Sequence, residues 1–195
     1  MTERTPSQTV GPYLHIGLMP AQYGFRPVFT ATVAAQGQPG EHIRIEGRVF
    51  DGEGAVVPDA MIEIWQADAE GRYAHPEDGR PLSSNSFRGF GRASTETGGF
   101  AFDTVKPGTV AGPNGTTQAP HISVSVFARG VLKRMHTRIY FPGDGTTIYN
   151  WPAWWTTGLA WPGNGENDIA EGLGTMTVNY HSSAGASNQG TVPGI

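Results

Sequence analysis

The chain has 195 residues, a formal net charge of −4, 15% charged residues, 28 glycines, 15 prolines and no cysteine. That length suits one domain with a sizeable core. The acidic balance offers nucleic acid no basic surface, the lack of cysteine excludes disulfides and thiolate metal sites, and no apolar run is long enough to cross a membrane.

Frequent turn residues and little helical periodicity predict an all-β domain of many short strands. The start, MTERTPSQTVGPY, lacks the charged-then-apolar layout of a secretion signal, so the expected location is cytoplasmic. Residues 1–40 read as an extended arm, expected to contact a partner chain, because Pro6, Pro12, Pro20, Pro27 and Pro39 forbid long regular elements. The domain proper is expected over residues 41–145. In HIRIEGRVF, Ile43, Ile45 and Val49 share a face with Gly47 between them. DGEG is a turn and AMIEIWQA the return strand, which predicts a hairpin with an extended loop around Pro58. Glu63, between Ile62 and Ile64, faces away from the core.

GRYAHPEDGRPLSSNSFRGFGRAST reads as one long polar loop, of a length that is usually functional or mobile. GGFAFDTVKPG is a further strand and turn, and PHISVSVFARG and RMHTRIYFPGD are antiparallel strands joined near Gly130. After Asp144 the pattern decays. Residues 146–195 form an atypical tail that carries Trp151, Trp154, Trp155 and Trp161 without a clear period. Its end, HSSAGASNQGTVPGI, is expected to be disordered.

Candidate chemistry begins at His121. The stretch QAPHISVSV alternates, with Ile122, Val124 and Val126 on one face and His121, Ser123 and Ser125 on the other. His-x-His on a strand is a natural pair of metal ligands, because residues i and i+2 point the same way; here Ser123 takes the second place. Tyr73 is the next candidate, since a tyrosinate oxygen is a good donor to ferric iron. Alone, each has a simpler reading: a hydrogen-bonded strand histidine, and a packed ring with a wet hydroxyl. Arg129, in FARG, is as well suited to a bidentate carboxylate contact as to a solvated turn. His15, His42, His75, His136 and His181 are scattered, and no G-x-S-x-G, H-E-x-x-H, P-loop or G-x-G-x-x-G pattern occurs.

Taken together, TPSQTVGPYLHIGL, GRVFDGEGAVVPDAMIEIWQADAEGRY, TVKPG, PHISVSVFARG and HTRIYFPGD resemble the intradiol ring-cleaving dioxygenases, and above all their alpha chains, from about Thr5 to Asp144. The pattern P-x-x-x-I-E-I-W-Q-A-x-x-x-G-R-Y is highly specific. The resemblance implies a β-sandwich core, a beta chain as partner, Fe(III) held by that beta chain, and protocatechuate as substrate. It implies an iron site of two Tyr and two His in the catalytic chains. Tyr73 matches the first tyrosine and His121 the first histidine. Val110 and Ser123 stand where the other two ligands would be, and Gln118 replaces a nearby arginine. This chain is therefore expected to hold no metal, with Tyr73 and His121 as remnants. Gly11, Pro12, Tyr13 and Arg129 are expected to line the substrate pocket shared with the beta chain.

Two other readings remain open. In one, Tyr149, Tyr180 or His181 from the tail completes an iron site around Tyr73 and His121. In the other, the chain is a β-sandwich binding module whose tryptophans stack on sugars or aromatic ligands.

Overall fold

The computed structural model describes residues 16–129, 131 and 134–141, together with the backbone of four strands in the segment 155–192. The first sheet is built on β1 (His42–Val49), the second on β2 (Met61–Gln66). Then follow β3 (Phe90–Ser94), β4 (Phe100–Val105), the short β5 (Val110–Ala111) and β6 (Thr117–Gln118), β7 (His121–Phe127) and β8 (Met135–Tyr140). The tail contributes β9 (Trp155–Thr157), β10 (Glu166–Asp168), β11 (Met176–Ser182) and β12 (Ser187–Val192).

The strands form two four-stranded sheets, ordered β12-β11-β1-β4 and β3-β2-β7-β8, with two-stranded pairs β9-β10 and β5-β6 beside them. Alternation decides what lies between the sheets. Ile43, Ile45, Val49, Phe100, Phe102 and Val105 from one sheet and Ile62, Ile64, Ala93, Ile122, Val124 and Val126 from the other share a single buried cluster. Removing each such side chain from water stabilises the fold by roughly 1.5–3 kcal/mol before entropy is counted. This is a β-sandwich, the architecture that the resemblance implied.

β7 and β8 pair as the sequence indicated, with His121 opposite Tyr140 and Ser123 opposite Arg138. The expected β1–β2 hairpin is not formed. β1 pairs with β4 and β11, and β2 with β3 and β7, so the two strands lie in opposite sheets. The DGEG turn is real but local: Phe50 bridges Val56, and Asp51 N–H donates to Ala55 O at 2.9 Å. The chain then crosses the sandwich, pinned by buried Thr95. Its hydroxyl donates to Val57 O at 2.7 Å and accepts from Ala60 N–H at 2.9 Å. Two apolar faces were correctly read, and they meet across the core instead of side by side.

The long polar loop also ends earlier than expected, because its last residues form β3. The core-facing positions of β3 are Gly91 and Ala93, small residues that hide the alternation. Gly91 leaves room for a neighbour: a Cβ there would stand 2.5 Å from Val33 Cγ2. Val33 and Ala34 are buried, and Val33 N–H donates to Asp103 O at 2.8 Å. The described part of the arm thus packs on its own sandwich. It holds a 3₁₀ turn at Pro20–Tyr23, closed by Gly24 in the left-handed conformation. Arg92 clamps it, with Nη1 donating to Leu18 O at 3.0 Å and its guanidinium over the Phe29 ring.

In the tail, β11 pairs with β1 from Ile43 opposite Ser182 to Val49 opposite Met176. β12, within the stretch expected to be disordered, pairs with β11. Among the described residues, no helix is long and apolar enough to cross a membrane.

Candidate functional site

The outer face of the second sheet carries the polar alternates of its strands. One cross-strand row runs Trp65–Ser123–Arg138, and beside it His121 faces Tyr140. Two loops close over this face, and glycines let them touch. Gly71, in EGRY, has φ +75°, and a Cβ there would fall 1.8 Å from Thr109 O. Gly108, in KPG, is crowded too: a Cβ there would stand 2.6 Å from Ala69 O. Only glycines permit this approach, and it brings the loop carrying Tyr73 against the turn that leads to Val110. Asp68 holds the first loop. Its carboxylate is buried and accepts N–H groups of Arg72 at 2.9 Å, Glu70 at 3.0 Å and Ser83 at 2.9 Å.

Tyr73 lies half-buried with its ring stacked on Trp65, centroids 5.9 Å apart at 13°. Burial pushes its phenol pKa up; the Arg138 charge draws it back and that of Asp78 adds to the rise. Asp78 accepts the Tyr73 N–H at 2.7 Å, and its own carboxyl is held at about 2, chiefly by hydrogen bonding from Arg80. His121 is 4% exposed. Its Nδ1–H donates to Ala119 O at 2.8 Å, which leaves the Nε2 lone pair unprotonated. Burial lowers its pKa and Arg138 lowers it further, while the Ala119 contact acts the other way.

Val110 is buried and lies opposite Gln118 in the β5–β6 pair. Gln118 Oε1 accepts from Arg138 Nη1 at 2.9 Å, and its Nε2 donates to Ala111 O at 3.1 Å. The structure therefore gathers five of the positions named from sequence: Tyr73, Val110, Gln118, His121 and Ser123. Arg138 joins them, a residue the sequence reading passed over. The signal was present. A turn near Gly130 pairs positions equidistant from it, which sets Arg138 opposite Ser123.

This set does not fit ferric iron. Two donors remain, Ser is a weak ligand at neutral pH, and a guanidinium is close enough to act electrostatically on both Tyr73 and His121. Among the described residues, no three His, Cys, Asp or Glu side chains group as a metal site.

Arg129 is not part of this cluster. It follows the far end of β7 from His121, is 76% exposed and pairs with Asp59. Gly11, Pro12 and Tyr13 lie outside the described residues, as do the side chains of Tyr149, Tyr180 and His181. His42 is occupied by Gln38 O at 2.9 Å. An open groove of about 590 Å³ runs beside Tyr73, lined by His75, Arg80, Asn85, Phe87 and Arg88 among others.

Comparison with known proteins places these features. A family model described as Dioxygenase matches residues 29–151, and a second, described as XgeA-like, catalytic GH16 domain, matches residues 143–192. The chain is 46% identical over 147 residues to the protocatechuate 3,4-dioxygenase alpha chain of Burkholderia cepacia, covering 73% of this chain and 72% of that one. It is 39% identical over 127 residues to the beta chain of the same organism, covering 62% and 54%. The crystal structure of wild-type catechol 1,2-dioxygenase from Acinetobacter radioresistens superposes with a TM-score of 0.50 at 21% identity, covering 68% of this chain and 53% of that one; it shares the fold.

Proposed function

The chain belongs to the intradiol dioxygenase family, which is iron-dependent, and from that premise we propose that it is the non-catalytic alpha subunit of a cytoplasmic protocatechuate 3,4-dioxygenase. Its partner is a beta chain that holds Fe(III). The complex cleaves 3,4-dihydroxybenzoate between its hydroxyl-bearing carbons, with both atoms of O₂ entering the product, 3-carboxy-cis,cis-muconate. The observation that supports this reading is the set of positions around Tyr73 and His121, where Val110 and Ser123 occupy the other two ligand places and Arg138 stands opposite Ser123.

Within the complex, this chain completes the substrate pocket of the beta chain through Gly11, Pro12, Tyr13 and Arg129. The exposure of Arg129 supports that role, since its guanidinium faces outward with Asp59 as its anchor. A desolvated guanidinium binds a benzoate carboxylate through two parallel N–H donors, and holding the ring in register is an orientation effect.

Expression of the chain with and without a family beta chain tests the assignment, with bound iron and protocatechuate-dependent O₂ uptake as readouts. The expected result is an iron-free, inactive chain alone and an active, iron-bearing complex. Stoichiometric iron in the chain alone overturns the reading. A second reading for the tail follows from the separate family match of residues 143–192 and the tryptophans there: a segment that stacks on sugars. Quenching of tryptophan fluorescence by oligosaccharides checks it.

A further inference from the structure

The sequence leaves the site short of two iron donors, and the structure holds a second obstacle to iron. The site is not simply short of ligands. It contains a cation of its own. Arg138 stands directly opposite Ser123, in the row that begins at Trp65. Its Nη1 donates to Gln118 Oε1 at 2.9 Å, which ties β8 to the β5–β6 pair next to Val110. Gln118 is a neutral partner, and among the described residues Arg138 has no carboxylate within ion-pair distance. Its charge is therefore not cancelled locally. Two donors remain on this side of the sheet: the Tyr73 phenol, whose ring stacks on Trp65, and the His121 Nε2, left as an acceptor because Nδ1–H is bound to Ala119 O.

We propose that Arg138 is the internal cation of this site: standing opposite Ser123, it takes the electrostatic place of a metal ion on the sheet face that carries His121, ties the surrounding strands together through Gln118, and closes the site to metal independently of how many donors are present. The repulsion between a fixed guanidinium and an incoming ion grows with the ion's charge, so a trivalent ion is excluded most strongly. The proposal rests on the reading of the cluster as a former iron site, and its test separates the two.

Ser123 and His121 share a strand face, so Ser123→His restores an i, i+2 imidazole pair beside Tyr73. The full chain is prepared as S123H and as S123H/R138Q, each exposed to ferric iron and freed of unbound metal. Iron per chain and the visible tyrosinate-to-Fe(III) charge-transfer band are measured. The expected result is at least about tenfold more iron in S123H/R138Q than in S123H, with a band that is lost when Tyr73→Phe is added. Equal iron in the two variants, or none in S123H/R138Q, overturns the proposal. If S123H/R138Q does not fold, R138Q alone decides: millimolar Co(II) raises its melting temperature but not that of the native chain, and equal shifts overturn the assignment. Stoichiometric iron in the native chain would instead sink the subunit reading, whatever the variants do.

Discussion

Asp68 shows how one buried carboxylate builds the loop that positions Tyr73. Burial raises its pKa, but the hydrogen bonds from Ser83, Arg72 and Glu70 outweigh that and leave it lowered. A carboxylate with a lowered folded pKa stabilises the fold above the ordinary carboxyl range, and that contribution is lost as the pH falls through the folded value. Asp68→Asn sets an amide against donors that all point inward. It costs about 2–3 kcal/mol, read as a lower denaturation midpoint at neutral pH with a flatter acid limb. Arg129 is the contrasting case, an exposed cation with one anchor. Arg129→Ala in the complex with a beta chain raises KM for protocatechuate by roughly tenfold or more, without lowering the free energy of unfolding by more than about 1 kcal/mol. An unchanged KM removes Arg129 from the pocket.

At the level of elements, Arg92 is the fastener of the arm. It pairs with Glu63, donates to Leu18 O and lies over Phe29 and Phe90. Arg92→Ala strands Glu63 and loosens residues 18–30 together. Chymotrypsin then cuts faster after Tyr23 and Phe25, both already exposed, and unchanged cleavage would show that the arm is held elsewhere. The elements themselves were unequally legible. β1, β2, β4, β7 and β8 alternate branched and aromatic residues with polar ones, and their burial follows that period. β3 does not announce itself, because Gly91 and Ala93 are its inner face. Alternation also names faces and never partners, which is why β1 and β2 were joined in a hairpin when the crossing at Thr95 parts them. The cluster at Tyr73 and His121 was legible through specific motifs, and Arg138 was missed because its meaning comes from strand register. Gly71 reads as part of a loop and Gly108 as part of a turn, whereas in the fold they are the contact between the two.

Across the whole molecule, acid acts in two stages. The His121 pKa is lowered in the fold, first by burial and then by Arg138. The unfolded chain takes up a proton near the ordinary histidine value, about 6.5, while the fold resists it. Stability therefore begins to fall as the pH drops below that value, and the loss continues until His121 is protonated in the fold. Asp68 adds its loss at lower pH. Denaturation midpoints measured from pH 8 to pH 3 should show both stages. His136, lowered chiefly by burial, shares the first stage; His121→Asn keeps an N–H for Ala119 O and shrinks that stage, and a first stage of unchanged size in that variant would assign it to His136 alone.

The pairing of β1 with β11 has a consequence for how the protein is made. β1 lies early in the chain and β11 late, with Ile43 meeting Ser182. A sheet closed by such distant partners has a high contact order and forms slowly. As the chain leaves the ribosome, β4 reaches β1 first, and one side of β1 keeps its N–H and C=O groups unpaired until the tail is synthesised. An open edge of that kind is a template for pairing with another nascent chain. The interval between the emergence of β4 and of β11 is when this protein is most exposed to misassembly, and a chaperone or a waiting partner subunit has most to contribute during that interval.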